Sequence, residues 1–159
     1  RYTGVLVQDA AFMVTVPHVC PEEPALETNP VFLYMTDPCS REAPFQADLA
    51  VPIDSVDEAK WRLLDAMPSQ FYEWLPWLEH RLDEVPPADA PEARFAWLQQ
   101  FYGPVLDDMF APHRSALERI HGAAAAGVRR FEVFGVCGYG RDPGDEEMRA
   151  LCLCGAPPA

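Results

Sequence analysis

The hydrophobic positions of this chain concentrate first in an N-terminal stretch that is almost entirely apolar. Between residues 3 and 16, Gln8 and Asp9 are the strongly polar side chains. A segment this apolar is expected to be buried against the rest of the domain. Its length and its Ala-Ala-Phe-Met centre favour a helix, whereas its four valines favour a strand. We interpret it as a buried helix that Pro17 ends.

Three shorter apolar runs predict strands. Residues 31–36 lie between two proline-containing turns and are typical of a short buried strand. Residues 48–54 include Pro52, which cannot donate a ladder hydrogen bond, so we place this strand near the edge of a sheet. Residues 131–137 form the last predicted strand.

Helical patterns fill most of the chain between the second and third predicted strands. Ser55 and Glu58 match a capping box, and the helix that they predict, over about 56–67, carries an apolar face. That face consists of Val56, Ala59, Leu63 and Met67. The aromatic-rich run 71–78 contains Pro76, which predicts a kinked helix packed on the core or lining a pocket.

The remaining helical pattern begins near Pro91 and runs to His121, where Gly122 provides a C-terminal cap. We expect interruptions at Gly103-Pro104 and at Ala111-Pro112. The last part of the chain is polar and then rich in Ala and Pro. Within it, a helix is predicted over 145–151.

Composition indicates a globular domain with an acidic surface. The chain has 159 residues, and 25 acidic against 12 basic residues give a net charge of -13. This balance disfavours nucleic acid and anionic membrane as partners, because both require clustered Lys and Arg. No apolar run reaches the roughly 20 residues of a membrane helix. Five cysteines without disulfide-framework spacing are typical of reduced thiols, so we expect a cytoplasmic protein.

Residue patterns alone provide no complete catalytic set. Cys152 and Cys154 form one close pair without partners, and His113 and His121 point about 80° apart on an ideal helix, so neither pair predicts a metal site. The glycines of 135–140 lack the dinucleotide-binding spacing and are interpreted as strand-end turn residues. His18 lies where the apolar stretch opens into a loop, a common position for site residues.

Several motifs follow one another in a fixed order along residues 1–141. They are Arg1-Tyr2-Thr3-Gly4 with the apolar run to Pro17, 29–34, 44–54, 69–77, and Phe131-Glu132-Val133-Phe134 followed by Tyr139-Gly140-Arg141. This order resembles that of the PIG-L/LmbE-like zinc-dependent deacetylases, and the resemblance covers most of residues 1–141.

This resemblance implies a fold and an activity. The fold would be the C-terminal part of a Rossmann-like α/β domain over residues 1–141, an incomplete parallel-type sheet flanked by helices, followed by a polar tail over 142–159. The activity would be removal of the acetyl group from an N-acetylglucosamine-type sugar or conjugate. In that family an early A-H-P-D-D-E motif and a later H-P-D-H motif supply the zinc ligands and the general base.

Arg1 corresponds to the first residue after the H-P-D-H motif. The resemblance therefore implies that every zinc ligand and the general base lie upstream, so that zinc belongs to a full-length parent and this chain alone is inactive. The substrate-pocket candidates are Arg1, Thr3, His18 and Gln70. Met67 stands where the family often has a histidine, and Ser69 with Gln70 matches the family but is equally typical of a helix start.

Two expectations about partners follow. The ligand would be a small N-acetylated sugar, and a fragment of such a domain would expose an apolar face that favours a homo-oligomer. The alternative function is a non-catalytic interaction module, in which the aromatic run 71–78 serves as the docking surface.

Overall fold

A three-stranded antiparallel sheet forms the centre of the computed structural model, which describes residues 2–36 and 45–153. The strands are β1 (Leu33–Met35), β2 (Leu49–Pro52) and β3 (Phe131–Val136), in the order β1-β3-β2. Leu33 pairs with Val136, and Leu49 pairs with Phe134. All three predicted strands are confirmed, and Pro52 lies on an edge strand as expected.

The mixed α/β class is confirmed, but the expected parallel pairing is not found among the described strands. β1 and β2 each pair with β3 in the antiparallel sense. The physical reason is the path of the chain, which leaves β2, passes through a long helical segment and returns through the middle of the sheet in the opposite direction. The two outer strands run the same way, but β3 separates them.

The described residues form six α-helices and one π-helix. The α-helices are α1 (Tyr2–Met13), α2 (Asp57–Asp65), α3 (Leu75–Leu78), α4 (Pro91–Phe110), α5 (Arg114–His121) and α6 (Gly144–Leu153). The π-helix, Ser69–Trp74, continues directly into α3. None of the helices in the described ranges is both long enough and apolar enough to cross a membrane.

Four of the helix predictions can be compared directly. The aromatic run is helical with a change of helix type next to Pro76, as a kinked helix requires. Gly122 ends α5 with a φ of 56°, and a 3₁₀ turn breaks the pattern at Pro112, so both predictions are confirmed. The interruption predicted at Pro104 is wrong, because α4 continues through it. Packing of the buried residues on either side, Phe101 and Leu106, offsets the lost hydrogen bond.

Two clusters of buried side chains form the core. The first joins the sheet to α5 and contains Ala50, Ala116, Leu117, Ala125, Phe131 and Val133. The second joins α2, the π-helix and α4 and contains Trp61, Phe71, Tyr72, Leu98 and Leu106. Phe110, at the end of α4, packs against both clusters. Phe110 therefore connects the sheet to the helical half through apolar packing.

The capping box and the apolar face predicted for α2 are both wrong. Ser55 lies in a 3₁₀ turn, and α2 begins at Asp57 with no side-chain cap. Leu63 and Met67 are exposed, whereas Trp61 is buried. The physical reason is that an indole buries more apolar area than the aliphatic side chains do. Lys60, next to Trp61, further fixes this orientation through an ion pair with Glu132 of β3, with an Nζ–Oε1 distance of 2.7 Å.

The burial predicted for the N-terminal stretch and for β1 is also wrong. α1 is a helix, but Ala11 is its one buried residue, and all three residues of β1 are exposed. Apolar side chains occur on every side of α1, so packing against a single neighbouring surface cannot bury them. A hydrogen bond from Gln8 Nε2 to Tyr34 Oη, 2.8 Å long, attaches the helix to β1.

The orientation of α2 can be tested with two substitutions on opposite faces. We expect Trp61→Ala to lower the free energy of unfolding by about 3–5 kcal/mol, because it leaves a cavity in the second cluster. Leu63→Ala, on the exposed face, should change it by less than about 0.5 kcal/mol. Urea denaturation followed by circular dichroism measures both values. Equal destabilisation by the two substitutions would contradict the observed face.

Candidate functional site

A cleft of about 870 Å³ lies where β3 ends and α6 begins. Its walls come from the last residue of β3 and the loop that follows, from the first two turns of α6, from α5 and from the residue that precedes β2. We call it the β3–α6 cleft. Its charged lining residues are Asp48, Arg119, Asp142 and Arg149. A volume of this size is in the range of small-molecule binding sites.

Asp48 holds one wall of the cleft in place. Its Oδ2 atom accepts a hydrogen bond from the backbone N–H of Val136, at 2.8 Å, and its Oδ1 atom accepts one from Gln46 Nε2, also at 2.8 Å. Its own backbone N–H donates to the carbonyl oxygen of Phe134. Both carboxylate oxygens therefore already have donors, and the residue positions the end of β3.

The loop after β3 is bound tightly to the segment that precedes β1. The backbone N–H of Cys137 donates to the Phe32 carbonyl at 2.9 Å, and that of Arg141 donates to the Pro30 carbonyl at 3.1 Å. A Cβ atom on Gly140 would lie 2.7 Å from the Pro30 carbonyl oxygen. Gly140 is therefore required because the Pro30 backbone approaches it closely. This contact explains why a glycine occupies this position in the predicted turn.

A buried thiol connects the cleft with α1. Cys137 lines the cleft and is buried, and its Sγ atom is hydrogen-bonded to the Tyr34 hydroxyl at 3.1 Å. The Tyr34 hydroxyl also accepts the hydrogen bond from Gln8 described above. The hydrogen bond with Cys137, together with partial burial, raises the pKa of Tyr34. Tyr34 therefore remains a neutral hydroxyl group near pH 7.

The start of α6 presents both donors and acceptors to the cleft. Asp142 Oδ1 accepts a hydrogen bond from the backbone N–H of Gly144 at 3.0 Å, which holds the turn that leads into α6. Arg141 forms a bidentate ion pair with Glu147, with N–O distances of 2.6 and 2.8 Å. The two pair with each other, so neither adds net charge beside the cleft.

The two arginines of the cleft keep most of their donors available. Arg119 donates one hydrogen bond, 2.9 Å long, to the Ala47 carbonyl, and Arg149 has no hydrogen-bond or ion-pair partner among the described residues. Two arginines and two aspartates line the cleft, so their formal charges cancel. Such a lining suits an uncharged ligand that carries several hydroxyl or amide groups.

A second cleft, of about 350 Å³, is lined by charged residues that hydrogen-bond and pair with one another. It is lined by Asp54, Asp57, Asp107, Arg129 and Arg130. The Asp54 carboxylate accepts hydrogen bonds from the backbone N–H groups of Arg129 and Arg130, and the Arg130 guanidinium pairs with Asp107. These charged groups therefore hold the chain in place where it enters β3.

The predicted substrate-pocket residues do not meet in either cleft. Arg1 lies outside the described residues. Thr3 and His18 are exposed, Gln70 is half-buried, and none of these three lines either of the two clefts.

Residues 142–149, which sequence reasoning assigned to a tail, instead contribute much of the β3–α6 cleft. The signal that could have identified them is the aspartate two residues before a glycine that opens the predicted C-terminal helix.

The zinc implied by the sequence resemblance has no ligand set in the described part of the chain. Among residues 2–36 and 45–153, no group of three or more His, Cys, Asp or Glu side chains is placed to hold a metal ion. A zinc centre needs at least three protein ligands. The described side chains therefore do not fit a zinc centre, and we assign no metal-dependent step to them.

The close approach at Gly140 generates a stability prediction. We expect Gly140→Ala to lower the free energy of unfolding by about 1–3 kcal/mol, because the added methyl group overlaps the Pro30 carbonyl. Gly138→Ala is the matched control, because no atom lies within 4 Å of its added Cβ. Urea denaturation of both variants gives the comparison. If the two glycines tolerate alanine equally well, the packing of the loop described here is wrong.

No family model, no curated protein and no solved structure matches this chain. The function proposed below is therefore based on the order of its sequence motifs and on the residues of the β3–α6 cleft.

Proposed function

We propose that this chain is part of a zinc-dependent deacetylase that hydrolyses the N-acetyl group of an N-acetylglucosamine-type sugar or conjugate. It would form the C-terminal portion of a Rossmann-like domain. The observation that carries the proposal is the β3–α6 cleft, which lies beyond the carboxyl end of the central strand. Its volume of about 870 Å³ is in the range of small-molecule binding sites.

The chemistry of the cleft supports a sugar as the ligand. An N-acetylated sugar has no formal charge and offers many hydroxyl groups, so it needs both donors and acceptors around it. Arg119 and Arg149 supply donors, and the Asp142 carboxylate supplies an acceptor. Met148 and Ile120 add apolar surface for a sugar ring or an acetyl methyl group.

In this proposal the residues of this chain bind and orient the substrate. The zinc ligands and the general base are contributed by residues outside the printed sequence. Arg149 would hold the sugar, and the Cys137–Gly140 loop would form the wall on which it rests.

A specific observation favours the second candidate, a non-catalytic interaction module. Trp74, Trp77 and Leu78 are all exposed, although they follow directly after the buried pair Phe71 and Tyr72. Exposed aromatic side chains are enriched in protein–protein interfaces. This surface lies on the helical half and lines neither cleft, so substitutions can test the two candidates separately.

Ligand binding by the cleft arginines distinguishes these functions. We expect the chain to bind N-acetylglucosamine weakly, and Arg149→Ala to weaken that binding about two- to tenfold, the effect of losing one hydrogen bond worth about 0.5–1.5 kcal/mol. Chemical-shift titration by NMR spectroscopy measures both constants.

Arg129→Ala is the control, because Arg129 is exposed but lies outside the β3–α6 cleft. Equal losses of affinity in the Arg149→Ala and Arg129→Ala variants would contradict the sugar site. The absence of saturable binding by the unmodified chain would contradict it as well. Loss of binding on Trp77→Ala alone would also contradict the sugar site, because the sugar would then bind at the exposed tryptophans and not in the cleft.

Hydrolysis gives a separate prediction. We expect the chain alone to retain no stoichiometric zinc after dialysis and to release no acetate from N-acetylglucosamine, because its described side chains lack a zinc ligand set. Elemental analysis and an acetate assay measure these two quantities. Tight zinc binding accompanied by turnover would show that the ligands lie within this chain.

A further inference from the structure

The π-helix and α3 present large apolar side chains to solvent. Trp74 is 51% exposed, Trp77 is 61% exposed and Leu78 is 46% exposed. Residues three or four apart on a helix are neighbours on its surface, so these side chains lie side by side. We call the three residues the aromatic surface.

The fold holds the aromatic surface in a fixed position. Phe71 and Pro76, on the other side of the same helical segment, are buried. At the end of α3, the backbone N–H of His80 donates to the Trp77 carbonyl at 3.1 Å. The backbone N–H of Arg81 donates to the Pro76 carbonyl at 2.8 Å. These two hydrogen bonds form a Schellman motif, and His80 has the left-handed conformation that this motif requires, with a φ of 56°. A surface fixed in this way loses less conformational entropy on binding than a flexible one.

Unpaired carboxylates flank the aromatic surface. Between residues 73 and 84 the chain has four acidic residues and one basic residue, Arg81. Arg81 forms a bidentate ion pair with Glu84, so these two charges cancel. The other three carboxylates are exposed and form no hydrogen bond or ion pair with the described residues; they belong to Glu73, Glu79 and Asp83. Glu73 is four residues before Trp77, so the two side chains are neighbours on the helix surface.

This combination of aromatic rings and negative charge identifies a cationic partner. A Lys ammonium or Arg guanidinium group is attracted both by the face of an indole ring and by a carboxylate. The same carboxylates repel nucleic acid and anionic membranes. A second copy of this chain, related by a two-fold axis, would bring its own carboxylates against them and is therefore disfavoured.

We propose that the aromatic surface binds a segment of a partner protein in which Lys or Arg side chains stand next to apolar ones. The apolar side chains of that segment pack on Trp77 and Leu78, and its cations pair with Glu73 or lie over the indole faces. The inference rests on the interaction-module candidate described above and names the chemistry of its partner. It makes no use of the β3–α6 cleft.

NMR spectroscopy of the full chain tests the proposal, because each of the four tryptophans gives one indole N–H signal. The probe is a short synthetic peptide of leucine and lysine, and the control peptide has glutamate in place of each lysine. We expect the lysine peptide to shift the signals of Trp74 and Trp77 in a saturable way at about 0.15 M salt, where distant charges are screened. The signal of Trp61, which is buried, should not move, and the glutamate peptide should shift none of the three.

Two matched pairs of variants locate the contact. Trp77→Ala should weaken binding of the lysine peptide about tenfold or more, because tryptophans carry much of the binding energy of interfaces. Tyr139→Ala, at an exposed aromatic residue after β3, should leave it unchanged. Glu73→Gln should weaken binding about two- to fivefold, as expected for the loss of one exposed ion pair. Glu118→Gln removes the same charge from α5 and should have no effect.

Several outcomes would overturn the proposal. Equal weakening by Glu73→Gln and Glu118→Gln would show that only the overall charge matters, and unchanged binding by Trp77→Ala would place the contact elsewhere. Shifts of both exposed tryptophans by the glutamate peptide as well would rule out a cationic partner but leave the interaction-module candidate standing, whereas no shift by either peptide would contradict both.

Sedimentation velocity covers the remaining case. A chain that dimerises, and that Trp77→Ala makes monomeric, would also overturn the proposal, because a second copy would then cover the aromatic surface. Circular dichroism checks that the four variants keep the helix content of the unmodified chain, which is expected because all four substituted side chains are exposed.

Discussion

The pairing of β3 with both other strands is the constraint on which the described structure depends. β3 is the central strand, and its alternate residues Phe131 and Val133 are buried against α5. Its edges are satisfied by β1 and β2, and its carboxyl end forms one wall of the cleft. Loss of this strand would remove the first cluster of the core, the sheet and the candidate site together.

The strands were predictable because their signals are local. Each is a short run of apolar or aromatic residues bounded by prolines or turn residues, and Pro52 marked an edge by its missing N–H group. Their pairing was not predictable from such signals, because the paired residues Leu33 and Val136 are 103 residues apart in the chain. The resemblance to a family with a parallel sheet suggested a different pairing from the one that the described strands have.

The buried face of a helix was harder to predict than the presence of the helix. In α2 the periodicity of aliphatic residues predicted that Leu63 and Met67 are buried. The orientation of the helix depends instead on Trp61 and Lys60, which contact other elements. In α1 the apolar composition predicted a helix correctly and its burial wrongly. Burial depends on whether another surface is available, and the sequence of the helix itself does not contain that information.

The cleft could not be predicted for a related reason. Asp48 and Val136 are 88 residues apart, and Arg119 and Arg149 come from two further elements, so no motif brings them together in sequence. Single arginines and aspartates are also the commonest residues of an exposed surface, so their presence alone indicates no site. Their meaning comes from the fold that places them around one cavity.

The two candidate functional surfaces lie on different clusters of the core. The β3–α6 cleft is built on the first cluster, and the exposed tryptophans lie on the second. The clusters meet at Phe110, whose ring lies 5.0 Å from Lys60 Nζ, and Lys60 in turn pairs with Glu132 on β3. This junction is therefore one physical connection between the two clusters. Substitutions remote from Phe110 should affect one surface without the other, because effects at well-separated sites add independently.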